Sequence, residues 1–404
     1  MIFKIKLHWQ ILIALIIAVV FGYFVPGWVP YISWMGVVFL RALNMVVVPL
    51  ILSSIISGVS SIGGGSNLGR LGFKTITFYI LTSFVAILTG LFFVNLFRPG
   101  TGANRGNAAT VSTPDVSNSA SDILIRVIPE NVFDAMARGQ ILPVIFFAIL
   151  FGFFITQIQT EKQQLLTRFF DAFFEVMMKI TTFVIQFTPL GVFAIVAKEV
   201  AKNADSLGNI AGSLGIYMLT VLIALIFHGG IVLPLLVKFL GKANPYKHFR
   251  NMATPLLTAF STSSSNAALP LSMVAVEEKD GVSGKITSFT LPLGATINMN
   301  GTALYECVAV IFIAQAYGID LTFGQQAIVV LTALLAAIGS AGIPMAGLVM
   351  MSIVLTAVNL PLEGIGLILA VDRILDMSRT TVNVWGDTCA AVIIAKSEGE
   401  TLSV

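Results

Sequence analysis

The chain has 404 residues, 56% of them apolar and only 11% Asp, Glu, Lys or Arg, against the roughly 25% charged residues usual in soluble domains. With a mean hydropathy of +0.93 this composition excludes an ordinary soluble enzyme, and a net charge of +3 from 23 basic and 20 acidic residues is too small and too dispersed for nucleic-acid binding. At about 20 apolar residues per spanning helix, the length accommodates roughly eight spans and some shorter re-entrant pieces. The expected class is an all-α polytopic membrane protein. Cys307 and Cys389 lie in apolar sequence without a motif and read as buried free thiols.

Residues 1–8 carry Lys4 and Lys6 and run into an apolar stretch at 9–25 with no small-residue cleavage site, the pattern of a retained first span and not of a signal peptide. Apolar stretches follow at about 35–60, 73–97, 131–156, 165–197 and 209–240. The polar segment 99–122 reads as an external loop or a partly structured crossing. From Asn251 onward the character changes, with Ser, Gly, Asn and Pro interrupting the apolar runs at 261–266, 298–302 and 339–344. Such breaks free backbone groups that hydrocarbon cannot satisfy. They are tolerated only inside protein or beside a watery cavity, and secondary transporters build midplane sites from them. The last third of the chain is therefore expected to carry the function.

Counting basic residues gives the orientation. With the N-terminus inside and two hairpins, at about 246–280 and 321–360, each returning to its own side, thirteen Lys and Arg fall on the cytoplasmic side and six outside. Both termini are then cytoplasmic, and Trp28, Tyr31 and Trp34 join an external aromatic belt or pack between helices.

The last apolar helix, at about 362–396, contains Asp372, Arg373, Asp376, Arg379, Asn383 and Asp387. Charge at the bilayer centre costs a few kcal/mol on insertion scales, so a cluster there needs partners or a function. At about 100° per residue, Asp372, Asp376, Arg379, Thr380, Asn383 and Asp387 share one face. Internal ion pairs such as Asp376 with Arg379 would explain part of that face, but not Asn383 and Asp387, which have no matching cation. In the segment 291–302, Asn298 and Asn300 offer amide oxygens, Gly294 and Thr296 offer carbonyls, and Gly301 is expected to permit unwinding. Oxygen ligands with one carboxylate suit a hard monovalent cation; a bend that only relieves packing is the alternative. The breaks at 261–270 and 337–344 each fall mid-way along a span-length stretch, as hairpin tips would, where helix N-termini could present N–H groups to an anion.

An enzyme reading fails on residue placement. No His or Lys is close in sequence to Ser261 through Ser265, and His8, His228 and His248 lie near membrane ends. An intramembrane aspartyl protease needs two opposed carboxylates, usually on different helices, whereas these share a helix with Arg379.

The four motifs STSSSNAALP at 261–270, NMNGTALYE at 298–306, AIGSAGIP at 337–344 and DRILDMSRTTVNVWGD at 372–387 resemble, in order, those of the glutamate/aspartate symporters among the dicarboxylate/amino acid:cation transporters. Weaker similarity covers nearly the whole chain. The resemblance implies a homotrimer with eight transmembrane helices and two re-entrant helical hairpins per subunit. Residues 1–70 and 125–206 (spans 1, 2, 4 and 5) would form a scaffold and trimerisation domain. Residues 71–100 and 207–404 (spans 3, 6, 7, 8 and both hairpins) would form a transport domain that moves as an elevator.

Carried over residue by residue, Arg379 resembles the group that pairs bidentately with the substrate side-chain carboxylate, and Asp376 the one that takes its ammonium. Asn383 and Thr380 would hold the amino acid's own backbone groups, and Thr302 would lie near the side-chain carboxylate. Ser265, Ile343 and Gly347 would close over the ligand from the hairpin tips. One sodium site would use Gly294, Asn298, Asn383 and Asp387; a second, the carbonyls of Thr296, Ala337, Ile338 and Ser340; a third, Tyr79, Thr82 and Ser83 with Asn298 and Asn300. Carriers of neutral amino acids lack the Arg and carriers of C4-dicarboxylates lack the Asp, so keeping both implies an acidic amino acid.

This sequence departs from the family in three places. Residue 300 is Asn where the usual motif has Asp, which keeps an oxygen but removes a charge, so the third sodium is expected to be lost or weakly held. Glu306 stands where the sodium-, proton- and potassium-coupled animal members have Glu and the archaeal sodium-only members have Gln, which makes protons a second candidate coupling ion beside a merely hydrogen-bonded Glu. The family's extra Arg is missing at both its usual places, Ser263 and Met377, and Arg373, one turn before Met377, is the candidate substitute. Trp385 stands where smaller residues are common and has no explanation in the sequence.

The reading is a secondary active symporter for L-aspartate and/or L-glutamate, coupled to sodium, without an organic cofactor. An anion channel on the same fold and a C4-dicarboxylate symporter are the alternatives. Short loops favour a prokaryotic inner membrane.

Overall fold

The computed structural model describes residues 7–60, 66–101, 128–138, 140–202, 207–338 and 346–404, which are helical with no strand among them. α1 (Leu7–Phe24) meets α2 (Val29–Ser60) through the turn Pro26–Trp28, where Pro26 supplies no N–H to continue α1 and the chain bends by 106°. α3 (Ser66–Phe97) follows. α4 (Val132–Ala137) is capped by Asn131, whose side chain accepts from the N–H groups of Phe133 and Asp134. α5 (Ile141–Ile155), α6 (Thr160–Gln186) and α7 (Thr188–Lys202) complete the first half, in which α2 packs along α5, α6 and α7 while α1 lies on α7.

α8 (Leu207–Phe227) passes through a π turn, His228–Val232, into α9 (Leu233–Phe239). α10 (Pro245–Asn251) leads into a helical pair, α11 (Ala253–Thr262) and α12 (Ser265–Glu278). The pair turns at Ser263, held at φ 53°, and Ser264 caps α12 by accepting from the Ala267 N–H. α13 (Gly284–Ile297) and α14 (Asn300–Ala316) are one span interrupted at Asn298 and Met299. α15 (Phe323–Ile338) and α16 (Ala346–Ala357) form a second packed pair, and α17 (Ile365–Ser397) ends the helical part. α17 is the axis of this half: α8, α11, α12, α13 and α14 all pack on it. α14 is buried along its length except at Gln315, held by α3, α8, α15 and α17.

Among the described residues three helical stretches are long and apolar enough to cross a membrane, Arg70–Phe97, Gly212–Phe239 and Gly284–Ala316, and two bent pairs each have the length and composition of one further span. α17 has the length, at 33 residues, but its charges keep it out of that set. The interrupted 261–270 motif is a turn between two packed helices, as expected. Most of the expected external loop 99–122, and the break at 339–344, lie outside the described residues.

One expectation needs correction. Gly301 lies inside α14 and not in the break, which is made by Asn298 and Met299. Its bare backbone serves packing: a Cβ there would sit 2.4 Å from the Arg379 carbonyl oxygen of α17.

After α17 the chain folds back over the end of the bundle that carries the start of α3 and the base of the first hairpin. Ser403 N–H donates to the Asp280 carbonyl at 2.8 Å, and Glu398 accepts from Lys74 at 2.6 Å and Arg70 at 2.7 Å. The hydrogen bond from Lys74, with that from Arg70, holds the Glu398 carboxyl below its ordinary 4.5. A depressed carboxyl stabilises the fold above its unfolded value and loses that contribution as pH falls through the folded one. Glu398→Gln is expected to lower the melting temperature at neutral pH by on the order of 1 °C, the scale of a partly exposed pair, with the gap to wild type closing as pH falls through the depressed value of the folded carboxyl.

Candidate functional site

The α17 face carries a buried guanidinium. Arg379 is 1% exposed and donates to one carboxylate oxygen of Asp376, Oδ1, from Nη2 at 2.8 Å and Nε at 3.1 Å. Its Nη1 is 3.8 Å from Asp372 Oδ1, and its carbon centre lies 4.3 Å from the Tyr305 ring centroid, a cation–π distance. The Tyr305 hydroxyl donates to Asp372 Oδ1 at 2.7 Å. The other Asp376 oxygen, Oδ2, is 3.7 Å from Arg373 Nη1; Oδ2 and Arg379 Nη1 are both buried without a hydrogen-bond partner among the described residues. The backbone of Gly347 in α16 closes the other side, since a Cβ there would lie 2.2 Å from Nη1. The guanidinium thus packs against α17, α14 and α16, and among the described residues the Arg379–Asp376 pair leaves Nη1 as donor and Asp376 Oδ2 as acceptor without a hydrogen bond.

One turn further along α17, Asn383 crosses the α13–α14 break. Its Oδ1 accepts from Gly301 N–H at 2.7 Å and from Thr302 N–H at 3.3 Å, two groups left over at a helix start. Its Nδ2 donates to Thr302 Oγ1 at 3.0 Å and contacts Met299 Sδ at 3.2 Å. Asp387 comes next, accepting from Asn298 Nδ2 at 2.8 Å. A Cβ on Gly294 would fall 2.5 Å from Asp387 Oδ1 and 2.7 Å from the Tyr79 hydroxyl, so only glycine lets α13, α17 and α3 converge here. Asn300 faces Gly386 of α17. Asn298 Oδ1 and both amide atoms of Asn300 are buried with no hydrogen-bond partner among the described residues. An oxygen set of this kind, with one carboxylate, suits a small hard cation.

The structure therefore brings together Asp376, Arg379 and Gly347 as one group, Asn383 and Thr302 as a second, and Gly294, Asn298, Asp387 and Tyr79 as a third, with Asn300 beside them. Thr82 and Ser83 are buried on α3 near Tyr79 in sequence, Thr82 spending its hydroxyl on the Phe78 carbonyl at 2.9 Å. Thr380 is buried on α17 and Ser265 at the first turn of α12. Ala337 is buried near the end of α15, whereas Thr296 is exposed on α13. Ser340 and Ile343 lie outside the described residues, as does the side chain of Ile338. Glu306 is buried on α14 with neither carboxylate oxygen partnered among the described residues.

A sequence profile of the sodium:dicarboxylate symporter family matches residues 7–397. The chain belongs to this family. It is 36% identical to a proton/sodium-glutamate symport protein of Geobacillus stearothermophilus over 98% of the chain and 96% of that protein. It is also 36% identical to a proton/glutamate-aspartate symporter of Escherichia coli, over 98% and 93% of the two chains, and to human excitatory amino acid transporter 3, over 91% and 79%.

Two features of this family member were missed from sequence. Tyr305, inside the quoted motif, is the ring beneath Arg379; its place one residue before Glu306 was the available signal. Arg41 on α2 and the Glu175–Lys179 pair on α6, 3.7 Å apart and each more than 70% exposed, are further charges on apolar helices. Periodicity within α6 alone does not say what covers them.

Gly301→Ala is expected to push α14 off α17, costing about 1–3 kcal/mol as overpacking does and removing most transport. Gly212→Ala, with nothing within 4 Å of its Cβ, is expected to leave the melting temperature level or slightly raised. Paired thermal melts and uptake assays on the two variants check both.

Proposed function

We propose that the chain is a secondary active symporter that moves an acidic amino acid, L-aspartate and/or L-glutamate, across the membrane with sodium, using protons as an additional coupling ion. The observation that carries this reading is the buried Arg379–Asp376 pair, whose Nη1 and Oδ2 have no hydrogen-bond partner among the described residues. A substrate bearing both a carboxylate and an ammonium can take one partner each, and the guanidinium fork suits bidentate carboxylate binding. The names of the relatives in Geobacillus, Escherichia coli and human point the same way.

In this reading Arg379 leaves Asp376 for the substrate side-chain carboxylate and Asp376 takes the ammonium, while Asn383, Thr380 and Thr302 hold the remaining polar groups. Ser265, Ile343 and Gly347 close over the ligand. Sodium uses Asp387 with Asn298, Asn383 and the Gly294 carbonyl; a second ion uses the carbonyls of Thr296, Ala337, Ile338 and Ser340. The third set, Tyr79, Thr82, Ser83, Asn298 and Asn300, lacks the charge an Asp at 300 would provide and holds sodium weakly. Glu306, a buried carboxyl with no cation bonded to it among the described residues, is suited to carry the proton.

The packing of α1, α2, α5, α6 and α7 among themselves, and of α3, α8, α9, α11, α12, α13, α14 and α16 on α17 with α15 held by α14 and α16, supports a reading as eight spans and two hairpins, with residues 1–70 and 125–206 as scaffold and 71–100 and 207–404 as the moving transport domain. Exposed Glu175 and Lys179 on α6 support a homotrimer, because lipid would pay heavily for them and a second subunit need not. Both termini would be cytoplasmic, in a prokaryotic inner membrane.

Labelled aspartate uptake into liposomes, with sodium and proton gradients imposed separately, tests the function. Accumulation of unchanged label with either gradient is expected, and Glu306→Gln should remove the proton-driven part while sparing the sodium-driven part. Uptake that neither gradient drives would overturn the reading, and conduction at channel rates would favour the anion channel. Asn300→Asp is expected to raise the sodium-to-substrate ratio; an unchanged ratio would count against the weakened third site.

A further inference from the structure

Trp385 lies on the back of α17, about 180° round the helix from Asp376 at 100° per residue, and is 3% exposed. Its indole N–H donates to the Gly229 carbonyl at 2.9 Å. That carbonyl is available for a local reason. The π turn hands the Leu233 N–H to the His228 carbonyl, and the next residue along, Pro234, has no N–H to give. Gly229 is left as an acceptor inside the bundle, and an indole N–H, which can only donate, is a fitting partner.

The ring is aimed by packing. His248 stacks on it at 4.7 Å between centroids and 27° between planes, and Phe249 meets it edge-on at 5.4 Å. His248 is itself held by Asp280 Oδ2 at 2.6 Å, whose other oxygen accepts from Asn251 Nδ2 at 2.7 Å. α17, the joint between α8 and α9, and the base of the first hairpin are thereby joined through one side chain, at the level of Asn383 and Asp387.

We propose that Trp385 is a positioning residue for cation binding, fixing the rotation and height of α17 so that Asn383 and Asp387 meet Gly301 and Asn298 across the α13–α14 break. This rests on the reading that Asp387, Asn298 and Asn383 hold sodium. A step of one residue along a helix is about 1.5 Å, enough to break the bonds that Asn383 and Asp387 make. Without the indole bond α17 spends part of its time displaced, and apparent cation affinity falls by the fraction of time the competent position is lost.

The test is the half-saturating sodium concentration for labelled aspartate uptake into liposomes. Trp385→Phe keeps a ring against His248 and Phe249 but removes the donor, and is expected to raise that concentration about three- to tenfold, the scale of one hydrogen bond, with substrate KM at saturating sodium changing less than about twofold. Adding Pro234→Ala supplies an N–H for the Gly229 carbonyl. The double variant is expected to regain the melting temperature while keeping the raised sodium requirement, because the carbonyl is then satisfied but α17 is not held. Unchanged sodium dependence in Trp385→Phe, or its recovery together with stability in the double variant, overturns the proposal. Asp387→Asn separates the two levels: if it shifts sodium dependence and Trp385→Phe does not, only the positioning role falls; if it has no effect, the cation-site reading falls and the proposal with it.

Discussion

A guanidinium that is 1% exposed must keep a carboxylate beside it, because an unpaired ion in a low-dielectric interior costs several kcal/mol. Much of the second half of the chain is arranged round that constraint. Asp376 supplies the near carboxylate, Asp372 stands behind Arg379 with its own charge engaged by Tyr305, and the Tyr305 ring covers one face. The partner nearest to hand is also the one a zwitterionic substrate can displace in kind, carboxylate for carboxylate, freeing Asp376 for the ammonium. A monocarboxylate without an amino group would release Asp376 unpaired, which gives a physical reason for selecting a substrate with both charges.

The proposed substrate and cation sites share the backbone of the α13–α14 break. Asn383 binds the first N–H groups of α14, and Asp387, one turn on, binds Asn298 at the other side of the same break. In the proposed reading, ordering the break for a cation also orders Thr302 and Asn383 for the amino acid. That is a coupling free energy between sites, equal in both directions. Trp385 belongs to the same unit, gripping the helix from the rear.

The polar face of α17 was legible because helical periodicity puts Asp376, Arg379, Asn383 and Asp387 together in any straight helix, and hydrocarbon makes such a face conspicuous. The turn at Ser263 and Ser264 was legible because a run of serines mid-way along an apolar stretch offers the backbone local side-chain partners, as Ser264 does for the Ala267 N–H; Pro270 takes no part in it and lies inside α12. Gly301 was misread: sequence offers backbone freedom as the usual reason for glycine, while the close approach of the Arg379 carbonyl is a tertiary fact. Trp385 was opaque for the same reason, its partner being a carbonyl freed by Pro234 some 150 residues earlier. The exposed Glu175–Lys179 pair on α6 was passed over because periodicity within one helix does not say what covers it.

The most direct measurement is a structure of the protein in sodium with L-aspartate bound. The account predicts Arg379 turned from Asp376 onto the substrate side-chain carboxylate through two N–H groups, with Asp376 on the ammonium and an ion at Asp387. Aspartate bound elsewhere, or bound while Arg379 keeps both bonds to Asp376, would contradict it.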